Sequence, residues 1–296
     1  MNLKTILKKT KPTQLRVGET LYSASPVPSI MGIVNVTPDS FFDGGKYNST
    51  EAAFEHAIKL VEEGAAIIDV GGESSRPGSS SVSEEEELER VLPIIEKLAP
   101  FKKDLHFSIS IDTVKSKVAY KAMEAGADII NDISALSMDS AMAQVILETK
   151  ASCILNHMRG NFGTMQQDFK PYSNVVQEVQ NELRISAKKL IDLGVPQDKI
   201  CLDPGIGFGK SLQDNLELIA SASDFSEMEF PILWGLSRKS YIGKIPALET
   251  SDRLIPSVVS AFITALGGAT IIRVHDVAST FESFKLLEAF RSYESI

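Results

Sequence analysis

Cysteine is scarce in this chain: only Cys153 and Cys201 occur among 296 residues. Each lies within or at the start of a short apolar run. Two such residues provide no disulfide framework of the kind that stabilises small secreted domains. We therefore interpret both as small buried hydrophobic side chains and expect a reducing, cytoplasmic compartment.

An excess of positive charge is also lacking. The sequence has 30 Lys and Arg against 39 Asp and Glu, which gives a formal net charge of −9. An acidic surface argues against nucleic acid or an anionic membrane as partner. The uncharged stretch 254–272 approaches the length of a membrane span, but it contains Pro256 and Gly267-Gly268. It is better interpreted as a helix that ends before a strand.

Several common catalytic motifs are missing as well. The sequence contains no GxSxG, CxxC or HExxH pattern. The segment 205–211 resembles a phosphate-binding loop, but the first glycine of GxxxxGK[ST] would fall on Pro204. The dinucleotide pattern GxGxxG fails there too. Function must therefore be sought in residues that are scattered along the chain.

Short apolar runs that end in a polar residue recur along the sequence, separated by enough residues for one helix and a loop. This alternation predicts an α/β fold, a single-domain (β/α)8 TIM barrel with its site at the carboxyl ends of the strands. We assign residues 27–296 to the barrel and residues 1–26 to an N-terminal extension. The polar residues at the eight expected strand ends are Asn35, Asp69, Asp112, Asn131, Asn156, Asp203, Ser237 and Arg273.

The extension and two loops need separate interpretation. The extension lacks a signal-peptide core, and the absence of Ser from its first 18 residues disfavours a transit peptide. We expect it to form a hairpin that closes the barrel bottom. Segments 37–48 and 71–83 are long and turn-rich, as functional loops at this rim often are. The acidic run 84–87 follows Ser83 and is interpreted as the first turn of a helix, not as a metal site.

Three of the strand-end residues suit a flat heterocycle that is rich in N–H donors. Asp112 and Asp203 can each accept two parallel hydrogen bonds, and Asn131 can donate and accept beside them. Any one of them alone could instead cap a helix. Because all three are expected on one rim, a ligand site is the better interpretation.

A second group of side chains is cationic. Lys239 follows the seventh strand, and Arg273 and His275 follow the eighth, at the usual phosphate corner of this fold. Arg offers a fork to phosphate oxygens, and Asn35 could hold a hydrated Mg²⁺. A diphosphate ligand fits this corner; a structural salt-bridge network is the alternative.

These residues stand in blocks that resemble the dihydropteroate synthase family of pterin-binding enzymes. The blocks follow the family order over about residues 28–280. They are Asn35–Phe41 with Asp43–Gly45, Asp69–Gly78, Ser110–Asp112, Asn131–Asp132, Asp203–Gly209, Ser237–Ser240 and Arg273–Asp276. The resemblance implies a transferase that joins 7,8-dihydropterin-6-ylmethyl diphosphate to 4-aminobenzoate in folate biosynthesis. It also implies Mg²⁺ as cofactor, small molecules as partners, a homodimer and inhibition by sulfonamides.

The resemblance further implies roles for individual residues. Asp112, Lys239 and Arg273 would be catalytic, and Asn35 would hold Mg²⁺. The family mechanism loses pyrophosphate first, and the aniline nitrogen then attacks the resulting methylene cation of the pterin. The substrate-binding residues would be Asp112, Asn131 and Asp203 at the pterin ring, Lys239 between both substrates, Arg273, Val274 and His275 around the pyrophosphate, and Phe41, Ser75, Arg76, Pro77, Phe208 and Ser240.

Three positions depart from the family pattern: Ser75 replaces a usual threonine, Phe42 a common serine and Arg159 a usual glutamine. Two alternative functions remain. A pterin-dependent methyltransferase would share the barrel and the acidic contacts, but should lack the Ser-Arg-Pro-Gly and Ser-Arg-Lys blocks. A catalytically inactive pterin-binding homologue would not need Asn35, Lys239, Arg273 and His275, and the presence of all four argues against it.

Overall fold

A computed structural model describes residues 13–36, 45–74, 82–160, 171–245 and 253–293. Its centre is a barrel of parallel strands in which sequence neighbours are also spatial neighbours. The last strand pairs with the first, and a bridge between Leu202 and Ile232 completes the ring. The (β/α)8 prediction is therefore confirmed. The barrel strands are β3 (Ser29–Asn35), β4 (Ile67–Gly71), β5 (Ser108–Asp112), β6 (Ile129–Asp132), β7 (Ser152–Asn156), β8 (Ile200–Asp203), β9 (Leu233–Gly235) and β10 (Ile271–Val274).

Helices lie outside the barrel and cover its strands. The helices are α1 (Gly45–Glu62), α2 (Glu84–Leu98), α3 (Lys102–Leu105), α4 (Ser116–Glu124), α5 (Met142–Thr149), α6 (Val175–Leu193), α7 (Leu212–Ala220), α8 (Ala222–Ser226), α9 (Leu254–Leu266) and α10 (Val277–Tyr293), and 3₁₀ turns span Ala99–Phe101, Gln197–Lys199 and Ile242–Lys244. As expected, Ser83 caps α2 by accepting a hydrogen bond from the Glu86 amide. Among the described residues, no helix is both long and apolar enough to span a bilayer.

A hairpin covers the amino-terminal end of the barrel. Strands β1 (Gln14–Val17) and β2 (Thr20–Ser23) are antiparallel, and Leu15, Val17 and Tyr22 are buried against the first inward-facing residues of the barrel strands. The Tyr22 hydroxyl lies 2.8 Å from Ser108 Oγ. This matches the hairpin expected for the extension, while the boundary at residue 26 stays a prediction.

The barrel interior changes from apolar to polar along each strand. Ile67, Ile129, Cys201 and Ile271 pack together at the lower level. Because side chains alternate across a strand, the residues two positions later face the same interior at a higher level. Those residues are Asp69, Asn131, Asp203 and Arg273. The period-two pattern thus gathers polar groups from four strands, three of them charged, at the carboxyl-terminal mouth.

Candidate active site

Arg273 occupies the centre of this polar layer. Its Nε donates to Asp69 Oδ2 at 2.6 Å, and Nη2 donates to Asp112 Oδ2 at 2.7 Å. Asn131 Nδ2 also donates to Asp69 Oδ2, at 3.2 Å. The two carboxylates further raise the pKa of Arg273, although burial acts against them. The guanidinium therefore stays charged and joins strands β4, β5 and β10 across the mouth.

This network modifies the two-group arrangement expected from the sequence. The acidic pocket and the cationic corner do share one mouth, but Arg273 is bonded to the acids and is not set apart for a phosphate. The salt-bridge alternative therefore describes its contacts in the structure. Asp69, which is fully buried, belongs to this network although the sequence pattern assigned it no role. Its place two residues after the inward-facing Ile67 is the signal that could have identified it.

Asp203 stands on β8, across the barrel interior from Asp69 on β4 and Asp112 on β5. Its Oδ1 accepts a hydrogen bond of 2.7 Å from the Gly205 amide. Burial raises the pKa of Asp203 to about 6, while the Gly205 hydrogen bond, Lys239 and Arg273 lower it. Removal from water also raises the pKa of Asp112, which Arg273 opposes. Asp203 is therefore mainly ionised at neutral pH, whereas the pKa of Asp112 is raised to about 7 and this group titrates in that range.

Lys239 lies beside an aromatic ring at the same mouth. Its Nζ is 4.1 Å from the centroid of the Phe208 ring, a distance typical of a cation–π contact. Burial and the nearby Arg273 lower the pKa of Lys239 to about 8, while Asp203 and Asp112 act in the opposite direction. The ammonium group therefore lies close enough to both carboxylates to interact with their charges.

A small apolar surface lies next to these charges. Phe208 packs with Val114, Ile133 and Met158, which come from the segments after β8, β5, β6 and β7. A flat ring system needs such a surface for its faces as well as polar groups for its edges. Val114, Ile133 and Met158 are functional candidates that the sequence analysis missed, because single apolar residues in loops carry no recognisable pattern.

The remaining residues of the cationic corner take different positions. His275 Nδ1 lies 3.1 Å from Ser237 Oγ, and His275 lines a cavity of about 280 Å³ with Arg238 and His56. The side chain of Val274 is 2% exposed and belongs to the core between barrel and helices. By strand alternation it points away from Arg273, so only its backbone can meet a ligand.

Ser240 is half-buried and follows Lys239 directly. A helix N-terminus after this residue would offer amide donors to a ligand carboxylate. The structure has a 3₁₀ turn at Ile242–Lys244 instead, which is too short to supply the aligned dipole of a longer helix. Phe41, Phe42, Ser75, Arg76 and Pro77 lie outside the described residues, so their assignments stay predictions.

Arg159, the third departure from the family pattern, has a clear structural setting. Its guanidinium pairs with Glu178 and Glu182 of α6 and lies 3.9 Å from the centroid of the Tyr172 ring. His157, two residues earlier, is 3% exposed and its Nε2 lies 2.9 Å from Glu182 Oε2. These contacts fasten the segment after β7 to α6.

The Asn35 side chain fits a metal ion only in part. A methyl group on Gly71 would lie 3.8 Å from Asn35 Oδ1 and 3.7 Å from Asp112 Oδ2, so both oxygens flank one point of the rim. Within the described part of the chain, no three His, Cys, Asp or Glu side chains are grouped to hold a metal. Mg²⁺ commonly binds through one or two protein oxygens, waters and substrate phosphates. The donor set therefore fits an ion that arrives with a diphosphate.

Comparison with known proteins identifies the family. Residues 31–275 match the family described as pterin binding enzyme. The dihydropteroate synthase of Escherichia coli K12 is 45% identical over 262 residues, which cover 88% of this chain and 91% of that protein. This chain belongs to the dihydropteroate synthase family. Its members are transferases of folate biosynthesis, which excludes the methyltransferase alternative.

Solved structures of family members extend the likeness to the fold. The dihydropteroate synthase of Yersinia pestis, in complex with a sulfonamide drug, has a TM-score of 0.85 and 40% identity, covering 94% of this chain and 99% of that one. The Xanthomonas albilineans enzyme with 4-aminobenzoic acid has a TM-score of 0.85 and 37% identity, covering 97% and 100%. The same enzyme with 7,8-dihydropteroate has a TM-score of 0.82 and 35% identity, covering 96% and 99%.

Proposed function

We propose that this chain joins 7,8-dihydropterin-6-ylmethyl diphosphate to 4-aminobenzoate and releases 7,8-dihydropteroate and pyrophosphate. The observation that supports this most directly is the joining of Asp112 to Arg273 at one mouth of the barrel. The pterin ring is rich in N–H donors, and the activated pterin also carries an anionic leaving group. A site for this substrate therefore needs hydrogen-bond acceptors and a cation at adjacent points. Relatives bound to 4-aminobenzoic acid and to 7,8-dihydropteroate support the same pair of substrates.

The ring would be held by its edge and its faces. Asp203 offers Oδ2 to the amidine-like edge while Oδ1 stays bonded to Gly205, and Asn131 can donate and accept beside it. Phe208 would cover one face of the pterin. Lys239, whose Nζ lies over the Phe208 ring, would reach the pterin carbonyl. A charge-assisted hydrogen bond to a carboxylate both orients the ring and distinguishes it from heterocycles without a donor at that edge.

The leaving group would lie toward Arg273 and His275, whose positive charge and donors stabilise the departing diphosphate. Asn35 would hold Mg²⁺ together with that diphosphate, and the ion would add charge neutralisation there. A guanidinium has five N–H groups. Arg273 would therefore donate some of its hydrogen bonds to the phosphate oxygens in addition to Asp69 and Asp112.

The chemistry needs no nucleophile from the protein. The bond between the methylene carbon and the diphosphate oxygen breaks, and the electron pair leaves with the diphosphate. Asp112, near the ring, stabilises the positive charge that forms on the pterin. The aniline nitrogen of 4-aminobenzoate then forms the new C–N bond and loses a proton. Exclusion of water by Phe208 and its apolar neighbours protects the cation from hydrolysis.

A direct assay tests this proposal. Purified protein, Mg²⁺, the pterin diphosphate and 4-aminobenzoate should release pyrophosphate, and a sulfonamide should inhibit competitively with 4-aminobenzoate. Lys239→Met should lower the rate strongly, while Lys188→Met, at an exposed pair with Asp192, should leave it unchanged. Pterin binding without turnover in the wild-type protein would favour an inactive pterin-binding homologue instead.

We also propose a homodimer through α9 and α10. Ile255, Val259 and Ile263 form one stripe on α9 and are 73%, 51% and 44% exposed. On α10, which packs against α9, Leu286 and Phe290 are also exposed. Exposed apolar stripes on adjacent helices are typical of subunit interfaces. Light scattering should give a dimer mass for the wild-type chain and a monomer mass for Val259→Arg; a wild-type monomer would refute the proposal.

The cytoplasm is the compartment that we propose. Cys153 and Cys201 are both free and buried, and burial raises the pKa of Cys153, which keeps the thiol protonated and unreactive. Folding of the fully reduced protein to full activity is the expected result. A requirement for an oxidant would contradict this assignment.

A further inference from the structure

Lys210 is a buried cation to which the proposed reaction gives no role. The residue is 3% exposed. Its Nζ lies 2.9 Å from His157 Nδ1, 2.9 Å from the carbonyl oxygen of Gly205 and 3.0 Å from that of Phe208. Each N–H of the ammonium thus has an acceptor. Two of these acceptors belong to the loop that connects β8 to α7.

This loop lies directly on the segment that follows β7. Gly205 and Gly209 have φ angles of +70° and +64°. A Cβ on Gly205 would lie 1.9 Å from the carbonyl oxygen of His157, and one on Gly209 would lie 2.2 Å from that of Arg159. The two backbones are therefore in close contact, and inward-pointing carbonyl groups of the loop need a buried donor. Lys210 is that donor.

A chain of hydrogen bonds continues from Lys210 to α6. His157 accepts from Lys210 at Nδ1, so its Nε2 carries the proton that faces Glu182, 2.9 Å away. Glu182 also binds Arg159. Burial lowers the pKa of Lys210 to about 7; Lys239 and Arg159 act in the same direction, and Asp203 and Glu182 oppose them.

We infer that Lys210 is a positioning residue that fixes the Phe208 ring in the pterin pocket by binding the carbonyl oxygens of Gly205 and Phe208. The ring has one face near Lys239 Nζ and packs with Val114 and Ile133. Without the ammonium, the Phe208 carbonyl would lose its hydrogen bond to Lys210 and the Gly205 carbonyl would keep only the Phe208 amide as donor, so the loop would have to rearrange toward water. The inference rests on the proposed pterin site.

The experiment is a double-mutant cycle with Lys210→Met and Phe208→Ala. Affinity is measured by calorimetry with a pterin that lacks the diphosphate. We expect Lys210→Met to weaken binding about 10- to 100-fold, and the double variant to bind no worse than the weaker single variant, because both changes remove the same ring contact. Fully additive losses, or unchanged affinity in Lys210→Met, would overturn the inference.

Controls separate positioning from general stability. Lys102 Nζ also donates to a backbone carbonyl, that of Gly126, and to Asp128, at the other end of the barrel. Lys102→Met should lower the unfolding temperature but keep pterin affinity within about twofold; an equal loss of affinity would overturn the inference. If Lys210→Met does not fold, Lys210→Gln, whose shorter side chain cannot reach both carbonyl oxygens, takes its place in the cycle.

The wild-type protein distinguishes this inference from the proposed function. If the wild-type chain binds the pterin and releases pyrophosphate in the direct assay, a failed cycle refutes only the role of Lys210. If the wild-type chain does not bind the pterin, the proposed function fails and this inference fails with it.

Discussion

Arg273 Nε lies 2.6 Å from Asp69 Oδ2, although the two residues are 204 positions apart in the sequence. They stand on β10 and β4, which are separated by β3 in the barrel. Asp69 is fully buried, and its other carboxylate oxygen, Oδ1, is buried without a hydrogen-bond partner in the described structure. Asp69 therefore needs Arg273 as its cation, and Arg273 is also the residue that we expect to bind the leaving group.

This pairing predicts a coupled effect on stability. Arg273→Met leaves the buried Asp69 carboxylate without its cation and should lower the free energy of unfolding by about 3–5 kcal/mol. Asp69→Asn in the same chain should restore part of that loss, because the uncompensated charge disappears. Urea denaturation of both single variants and the double variant measures the coupling. Additive losses would show that the pair is energetically independent.

Asp203→Asn should weaken binding of a pterin by about 1.5–3 kcal/mol, the scale of a hydrogen bond to a charged group. The amide oxygen can still accept from Gly205, so the loop should keep its form. Since the pKa of Asp203 is raised to about 6, wild-type affinity should fall as the pH drops through that value, and the variant should lose this part of the dependence while it keeps the part that comes from Asp112. Calorimetry at several pH values measures both effects.

Asp132→Asn is the matched control for Asp203→Asn. Asp132 stands at the end of β6, and its carboxylate accepts from the amides of Ser134 and Leu136. It should alter stability and leave pterin affinity nearly unchanged. Equal loss of affinity in the two variants would remove the specific role of Asp203.

Gly205→Ala should destabilise the fold by at least about 3 kcal/mol, since a clash with the His157 carbonyl adds to the strain of positive φ. The added Cβ would lie 1.9 Å from that oxygen. Gly194→Ala is the comparison: its φ is +102°, but no atom lies within 4 Å of the added Cβ. It should cost only about 1–2 kcal/mol. Similar unfolding free energies for the two variants would contradict the close approach.

His157 should make the protein less stable in mild acid. Burial and Lys210 lower its pKa to about 4, so between about pH 6.5 and 4 the unfolded chain binds a proton at this histidine that the folded chain does not. Stability therefore rises with pH in this window and is lost as the pH falls. The contribution amounts to about 1.6 kcal/mol between pH 6.5 and 5.

His157→Gln isolates this contribution. A glutamine can accept from Lys210 and donate to Glu182 without titrating, and the raised pKa values of Asp112 and Asp203 act alike in both proteins. The difference in unfolding free energy between variant and wild type should thus favour the variant increasingly as the pH is lowered from 7 to 5. A difference that does not change with pH would exclude His157 as the titrating group.

The sequence predicted the barrel because the pattern of apolar runs repeats in every unit. Asn35, Asn156 and Asp203 end their strands as expected, whereas β4 continues to Gly71 beyond the expected end at Asp69. That difference arises because a buried parallel strand needs no polar residue to mark its end; Asp69 is buried inside the strand. Val274 was assigned by its place in a motif, and strand alternation turns its side chain to the core.

Local order along the chain was enough to specify the eight strand–helix units, the identity of the chemical groups and the family. Three features depend instead on the folded chain: Arg273 bonds to Asp69 and Asp112, Phe208 shares an apolar surface with three other loops, and Lys210 donates to the carbonyl of Phe208. Closure of the barrel explains the difference. It brings residues from distant strands within hydrogen-bond distance, and no spacing along the chain encodes that distance.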